Sequence, residues 1–223
     1  MKHIIDFNTV FRGRLAERPD VKIEEIRFDG DSVALESGNR PRVAVIGTRD
    51  PSPYGIAMTE SIVEALSRNP QKPIILSGLA MGVDTRAHKA ALEHGMATVA
   101  VLATGLDQVY PYRNTELARA MTKTKGCGLL TQFPDQTAPM AINFLIRNTT
   151  LALLSDLVIV VESKEKGGAM VAARLAWDAG ITVLAVPGRI DDVRSAGCNA
   201  LLNQGQAKML FNPKWLATMH ISI

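Results

Sequence analysis

Arg42-Val-Ala-Val-Ile-Gly47-Thr48-Arg49 is the stretch that decides the fold. Four successive apolar residues run straight into a glycine, with no polar alternation. Strands of a parallel sheet covered on both faces have this form. Directly after it, Asp50 or Ser52 can cap a helix through Tyr54 to Ser67, where Met58, Ile62, Ala65 and Leu66 share one face at helical spacing.

The same strand-then-helix unit recurs outward from this stretch. Strands are expected at Pro73–Ser77, Ala97–Ala103, Gly128–Thr131, Asp156–Val161 and Ile181–Val186. Helices are expected at Val83–His94, from an Asn114 cap to Thr124, and at Ala141–Leu154, Gly168–Asp178 and Ala196–Asn203. The gaps are too long for hairpins, so the strands are joined by crossovers and run parallel. The expected fold is α/β: an extended Rossmann-like, doubly wound, mostly parallel sheet. Residues 41–223 form its core. Residues 1–40 read as an N-terminal extension with turns at Arg12-Gly-Arg14 and Arg18-Pro-Asp20, a short strand at Val21–Phe28 and a linker near Gly38.

Composition narrows the function. The 223 residues are 47% hydrophobic and 21% charged, which excludes intrinsic disorder. No apolar run approaches the ~20 residues of a membrane span. The first residues do not read as a signal peptide, so a cytoplasmic protein with reduced thiols at Cys127 and Cys198 is expected. No Cys/His spacing suggests a metal site, and neither a metal nor a cofactor is expected. Residues 1–42 balance eight positive against eight negative side chains, so the net charge of +3 lies in residues 43–223.

In an open parallel sheet, ligands bind beyond the carboxyl ends of the strands, where the strand order reverses. Gly47, Thr48 and Arg49 therefore stand where backbone amides, a hydroxyl and a guanidinium can receive a phosphate. A tight turn with Arg49 in a surface ion pair is the plainer reading. The loop Ser77-Gly78-Leu-Ala80-Met-Gly82-Val-Asp84 is the second glycine turn, with Asp84 as helix cap or ligand contact. A hydrogen bond from His88 to Asp84 is expected one helical turn on. Lys166, Gly167 and Gly168 open the third such helix. Arg147 and Asn148 interrupt an apolar run, and a buried guanidinium needs partners, so they either snorkel outward or line the cleft. Arg113 stands beside Tyr110 and Tyr112, a cation among aromatics that stack bases or simply pack.

These motifs in this order, with Tyr54-Gly55, Ala103-Thr-Gly-Leu-Asp107, Tyr110-Pro111, Asn114, Ala185-Val-Pro-Gly188 and Gly197-Cys-Asn199, resemble the DNA-processing protein A family (DprA, also called Smf). The likeness covers about residues 41–210. It implies an extended Rossmann fold that binds and protects single-stranded DNA and loads a RecA-type recombinase in natural transformation. It also implies a homodimer with no catalytic reaction. Matching positions are Gly47, Thr48 and Arg49, then Gly78, Gly82 and Asp84, then Arg147 and Asn148. Thr149 stands where the family has a further arginine, Gln108 follows Gly-Leu-Asp where many members are basic, and Lys166-Gly-Gly-Ala169 replaces a serine–glycine–serine stretch.

Two other readings use the same sheet. One is a nucleotide phosphoribohydrolase of the lonely-guy type. Aligning its paired glycines on Gly167-Gly168 puts Ala173 and Arg174 where a catalytic carboxylate belongs, leaving Glu162 as the substitute. The other is a nucleotide-sensing domain.

Overall fold

The computed structural model of the protein describes residues 2–6, 10–14, 21 and 23–223. Its strands are β1 (Lys2–Ile4), β2 (Arg27–Gly30), β3 (Arg42–Ile46), β4 (Ile74–Ser77), β5 (Thr98–Val101), β6 (Gly128–Thr131), β7 (Leu157–Val160), β8 (Thr182–Ala185) and β9 (Lys208–Met209). Its α-helices are α1 (Val33–Glu36), α2 (Pro53–Ser67), α3 (Val83–Glu93), α4 (Thr115–Lys123), α5 (Ala141–Leu154), α6 (Gly168–Asp178) and α7 (Ala196–Asn203).

All of these strands join one sheet in the order β1-β2-β6-β5-β4-β3-β7-β8-β9. From β6 to β9 every neighbouring pair is parallel, as the crossover pattern requires. β1 and β2 add an antiparallel margin, with Phe28 opposite Leu130. The strand order reverses at β3, which lies between β4 and β7.

Strand alternation divides the core between the two faces. Val43 and Val45 pack on Ile62 and Leu66 of α2 and on Ala87 of α3. Ala44 and Ile46 face Leu151 and Leu154 of α5 and Ala173 of α6. A third cluster seats Leu117 and Met121 of α4 on Ala100 and Leu129. Each fully buried Leu, Ile or Val contributes about 1.5–3 kcal/mol, so the sheet holds the loops at its rim against a rigid base.

The N-terminal part departs from expectation. The strand read over Val21–Phe28 begins only at Arg27. Ile23 and Ile26 are buried outside any strand, so their spacing reflects packing rather than a β ladder. The turn read at Arg18-Pro-Asp20 lies outside the described residues. The fully buried Asp156 carboxylate receives Arg12 at 2.7 Å, Arg14 at 2.5 Å and the Arg42 amide at 2.8 Å. Arg42 is itself fully buried and donates to the carbonyls of Val10 and Leu35. Burial, with Arg12 beside it, pulls the Arg42 guanidinium down to about 10. These guanidiniums bind the segment before β3 to the amino-terminal end of β7.

Among the described residues no helix is long and apolar enough to cross a membrane. Cys127 and Cys198 are buried free thiols.

Candidate nucleic-acid interface

The carboxyl ends of β3 and β7 open a cleft of about 300 Å³. Gly47, Thr48 and Arg49 make one wall at the end of β3. Lys164, Lys166, Gly167 and Gly168 make the opposite wall between β7 and α6. Ala80, Asp84, Arg147 and Asn148 line the same cleft.

Local chemistry explains each wall. Pro53 starts α2, and Ser52 caps it by accepting from the Gly55 amide at 3.1 Å, which stops the Arg49 turn short. Gly82 precedes α3 with φ near +79°, and a Cβ there would strike the Thr48 carbonyl. Gly167 has no side chain to cap α6, and no acidic residue lies in that helix's first turn. The positive end of the helix therefore meets the cleft without a carboxylate in its own first turn.

Arg147 is buried (6% exposed) and donates from Nη1 to the Val101 carbonyl at 3.1 Å. Its Nε has no partner among the described residues. Asp84, equally buried, accepts from the amides of Gly78 at 3.1 Å and Ala80 at 3.3 Å. Burial pushes the Asp84 carboxyl up, while Arg147 and these amides pull it back. Burial likewise lowers the Arg147 guanidinium, Asp84 raises it, and Arg49 lowers it further. The pair lets a buried cation lie under the cleft without being left uncompensated. Four cationic side chains, Arg49, Arg147, Lys164 and Lys166, line the cleft against one carboxylate, Asp84.

Arg49 is exposed and lies over the Phe144 ring, 5.6 Å from its centre. Tyr110 meets the same ring edge-on at 5.7 Å. Ser163 and Lys164 belong to the loop 162–168 expected after β7, whereas Phe144 is not among the expected site residues, yet all three line the cleft. The signal for Phe144 was available: it precedes Arg147 by three residues on one helix and so shares its face.

Three of the expected site residues lie elsewhere. Gly78 borders a smaller hollow of about 60 Å³ with Tyr110 and Met81. Gly82 packs against the backbone of Thr48 and Arg49 instead of facing the cleft. Arg113 is exposed in the 3₁₀ turn Tyr112–Asn114 and lines neither space.

Two local expectations are corrected. His88 shares Nδ1 with the Thr98 hydroxyl at 2.7 Å, and its Nε2 has no partner among the described residues, so it makes no bond to Asp84. Asn114 stands at the N-cap position of α4, but its side chain makes no capping bond. Its amide donates to the Leu79 carbonyl and the Thr85 hydroxyl, both at 2.8 Å, and so pins the second glycine loop.

A wider hollow of about 480 Å³ lies on the other side of the Arg49 turn. Two carboxylates, Glu162 and Asp192, and one guanidinium, Arg189, line it, whereas the smaller cleft sets four cations against one carboxylate.

The family described as DNA recombination-mediator protein A matches residues 27–219. The DNA processing protein DprA of Bacillus subtilis is 35% identical over 176 residues, which is 79% of this chain and 57% of that protein. The chain thus spans little more than half the length of that curated relative, and 46% of protein Smf of Escherichia coli, to which it is 38% identical over 177 residues. The structure of DprA from Streptococcus pneumoniae superposes with a TM-score of 0.86 at 32% identity, covering 100% of this chain and 75% of that one. A Helicobacter pylori DNA processing protein A structure, described for its single-stranded DNA binding mode, gives 0.85 at 29% identity over 97% and 94% of the two chains. Matched in sequence across most of its length and in structure across all of it, the chain belongs to the DNA recombination-mediator protein A family, DprA/Smf.

Proposed function

We propose that this protein binds single-stranded DNA in the cleft between the Arg49 turn and the Lys164–Gly168 loop. The supporting observation is the balance of four cationic side chains to one carboxylate at the point where the strand order reverses. Arg49, Lys164 and Lys166 reach the strand's phosphates from the two walls. Arg147 supplies fixed charge from beneath, and the amides opening α6 add donors without sequence preference. The Helicobacter relative's described binding mode supports the same ligand class.

On this reading residues 41–223 are the binding core, and residues 1–40 are an extension whose strands widen its sheet. The protein acts by binding, without a reaction of its own. It protects incoming single strands in the cytoplasm and presents them, as a homodimer, to a RecA-type recombinase.

The test is a titration of fluorescent single- and double-stranded oligo-dT at two salt concentrations, with the unaltered chain and Arg49→Glu. Single-strand binding whose log K falls by about 0.7 per log salt for each neutralised phosphate is expected, and Arg49→Glu abolishes it. Unchanged affinity and slope in that variant would remove the proposal. Release of free base from nucleoside monophosphates would move the cleft to a phosphoribohydrolase. Thermal stabilisation by mononucleotides alone would move it to a nucleotide sensor.

A further inference from the structure

Glu162 lies two residues past the end of β7, and the cleft does not use it. Its carboxylate is buried (2% exposed) and lines the hollow behind the Arg49 turn, not the cleft in front. Oε2 accepts from the Ser52 amide at 2.9 Å, and Oε1 accepts from the Ser52 hydroxyl at 2.5 Å. That hydroxyl accepts in turn from the Gly55 amide. The backbone of Glu162 grips the other end of the same turn, since its carbonyl accepts from the Thr48 amide at 2.6 Å. A Cβ on Gly55 would collide with the carboxylate, so α2 is seated directly on it. The segment Thr48–Ser52, which carries Arg49, is therefore held at both ends by a single residue just past the neighbouring strand β7.

We infer that Glu162 is a positioning residue for single-strand binding: it fixes the Arg49 turn from behind and so sets where the Arg49 guanidinium meets a phosphate. The inference rests on the single-strand reading of the cleft. It makes a prediction opposite in sign to simple electrostatics. Removing a negative charge beside a phosphate site strengthens anion binding by Coulomb's law. Removing a clamp that places a cation weakens it.

Glu162→Ala and Glu162→Gln lose the same charge, but only glutamine keeps a bridge to Ser52. Glu162→Ala is expected to weaken oligo-dT binding about tenfold and to flatten the salt dependence by about 0.7, the value for one lost phosphate contact. Glu162→Gln stays within about twofold of the unaltered chain, because its amide still spans the Ser52 amide and hydroxyl. The deciding measurement is the double-mutant cycle with Arg49→Ala at low salt. Once Arg49 is absent, Glu162→Ala changes affinity by less than about twofold.

A loss that persists in the Arg49→Ala background would show general loosening and overturn the inference. So would unchanged or tighter binding by Glu162→Ala while Arg49→Ala weakens it, and that result leaves the cleft reading intact. Absence of single-strand binding by the unaltered chain overturns both. If circular dichroism shows Glu162→Ala unfolded, Ser52→Ala carries the same cycle. It removes one of the two donors and is expected to weaken binding about threefold, with the loss again vanishing without Arg49.

Discussion

Arg147 lies against Gly78 so closely that a Cβ on Gly78 would fall on the guanidinium Nη1. The absence of a side chain at the end of β4 is what gives the buried cation its place beneath the cleft, within reach of the Val101 carbonyl. Gly78→Ala is therefore expected to drive Arg147 from this position. Overpacking of this kind costs about 1–3 kcal/mol, read as a lower urea midpoint. Oligonucleotide affinity should fall in parallel, although residue 78 carries no charge in either form. Full affinity in this variant would show that the cleft does not depend on where Arg147 sits.

Lys164 and Lys166 are exposed on the loop before α6 and line the cleft. Surface lysines add little to stability, so Lys164→Ala and Lys166→Ala should leave the melting temperature unchanged. Each should reduce the salt slope of single-strand binding by about 0.7 if its ammonium neutralises one phosphate. A melting-temperature shift without a change in slope would assign these lysines to the fold.

His88 gives the fold a pH dependence with a definite sign. Burial, with Arg147 nearby, lowers the imidazole from 6.5 to about 3. The folded value lies below the unfolded one, so the unfolded chain binds more protons between about 3 and 6.5. Stability from the neutral ring is fully present above 6.5 and is lost as the pH falls through that window, at up to about 1.4 kcal/mol per pH unit. Asp84 acts in the opposite direction, because burial raises its carboxyl. Urea midpoints of the unaltered chain and of His88→Gln at pH 4.5, 5.5 and 7 separate the two. The variant should lose less stability on acidification, and equal losses would contradict this account.

Much of the architecture was legible because burial writes itself into local composition. The apolar runs before Gly47, Gly78 and Glu162 lie in strands β3, β4 and β7, and the helices from Val83 and Ala141 begin as the pattern indicates. The margins were not legible. β1 and β9 have only three and two residues, too short for any period to show. β2 is defined by its pairing with β6, which lies about a hundred residues later.

The candidate site was legible in type but not in arrangement. That glycine, hydroxyl and cationic residues would follow the strands was local information. Which of them converge was not: Arg113 and Gly82 carry the same local signals as Arg49 and Gly47 but face elsewhere. Asn114 stands at a helix start, as its neighbours indicate, yet its side chain bonds to a loop about 35 residues away.

By itself the sequence determined the doubly wound sheet and its family, because hydrophobic period and glycine placement act through near neighbours along the chain. Only the tertiary structure decided that Arg49, Arg147, Lys164 and Lys166 share one cleft while Glu162 stands behind it. These positions are joined through the strand order β4-β3-β7. A pairing across more than a hundred residues leaves no trace in the local pattern of either partner.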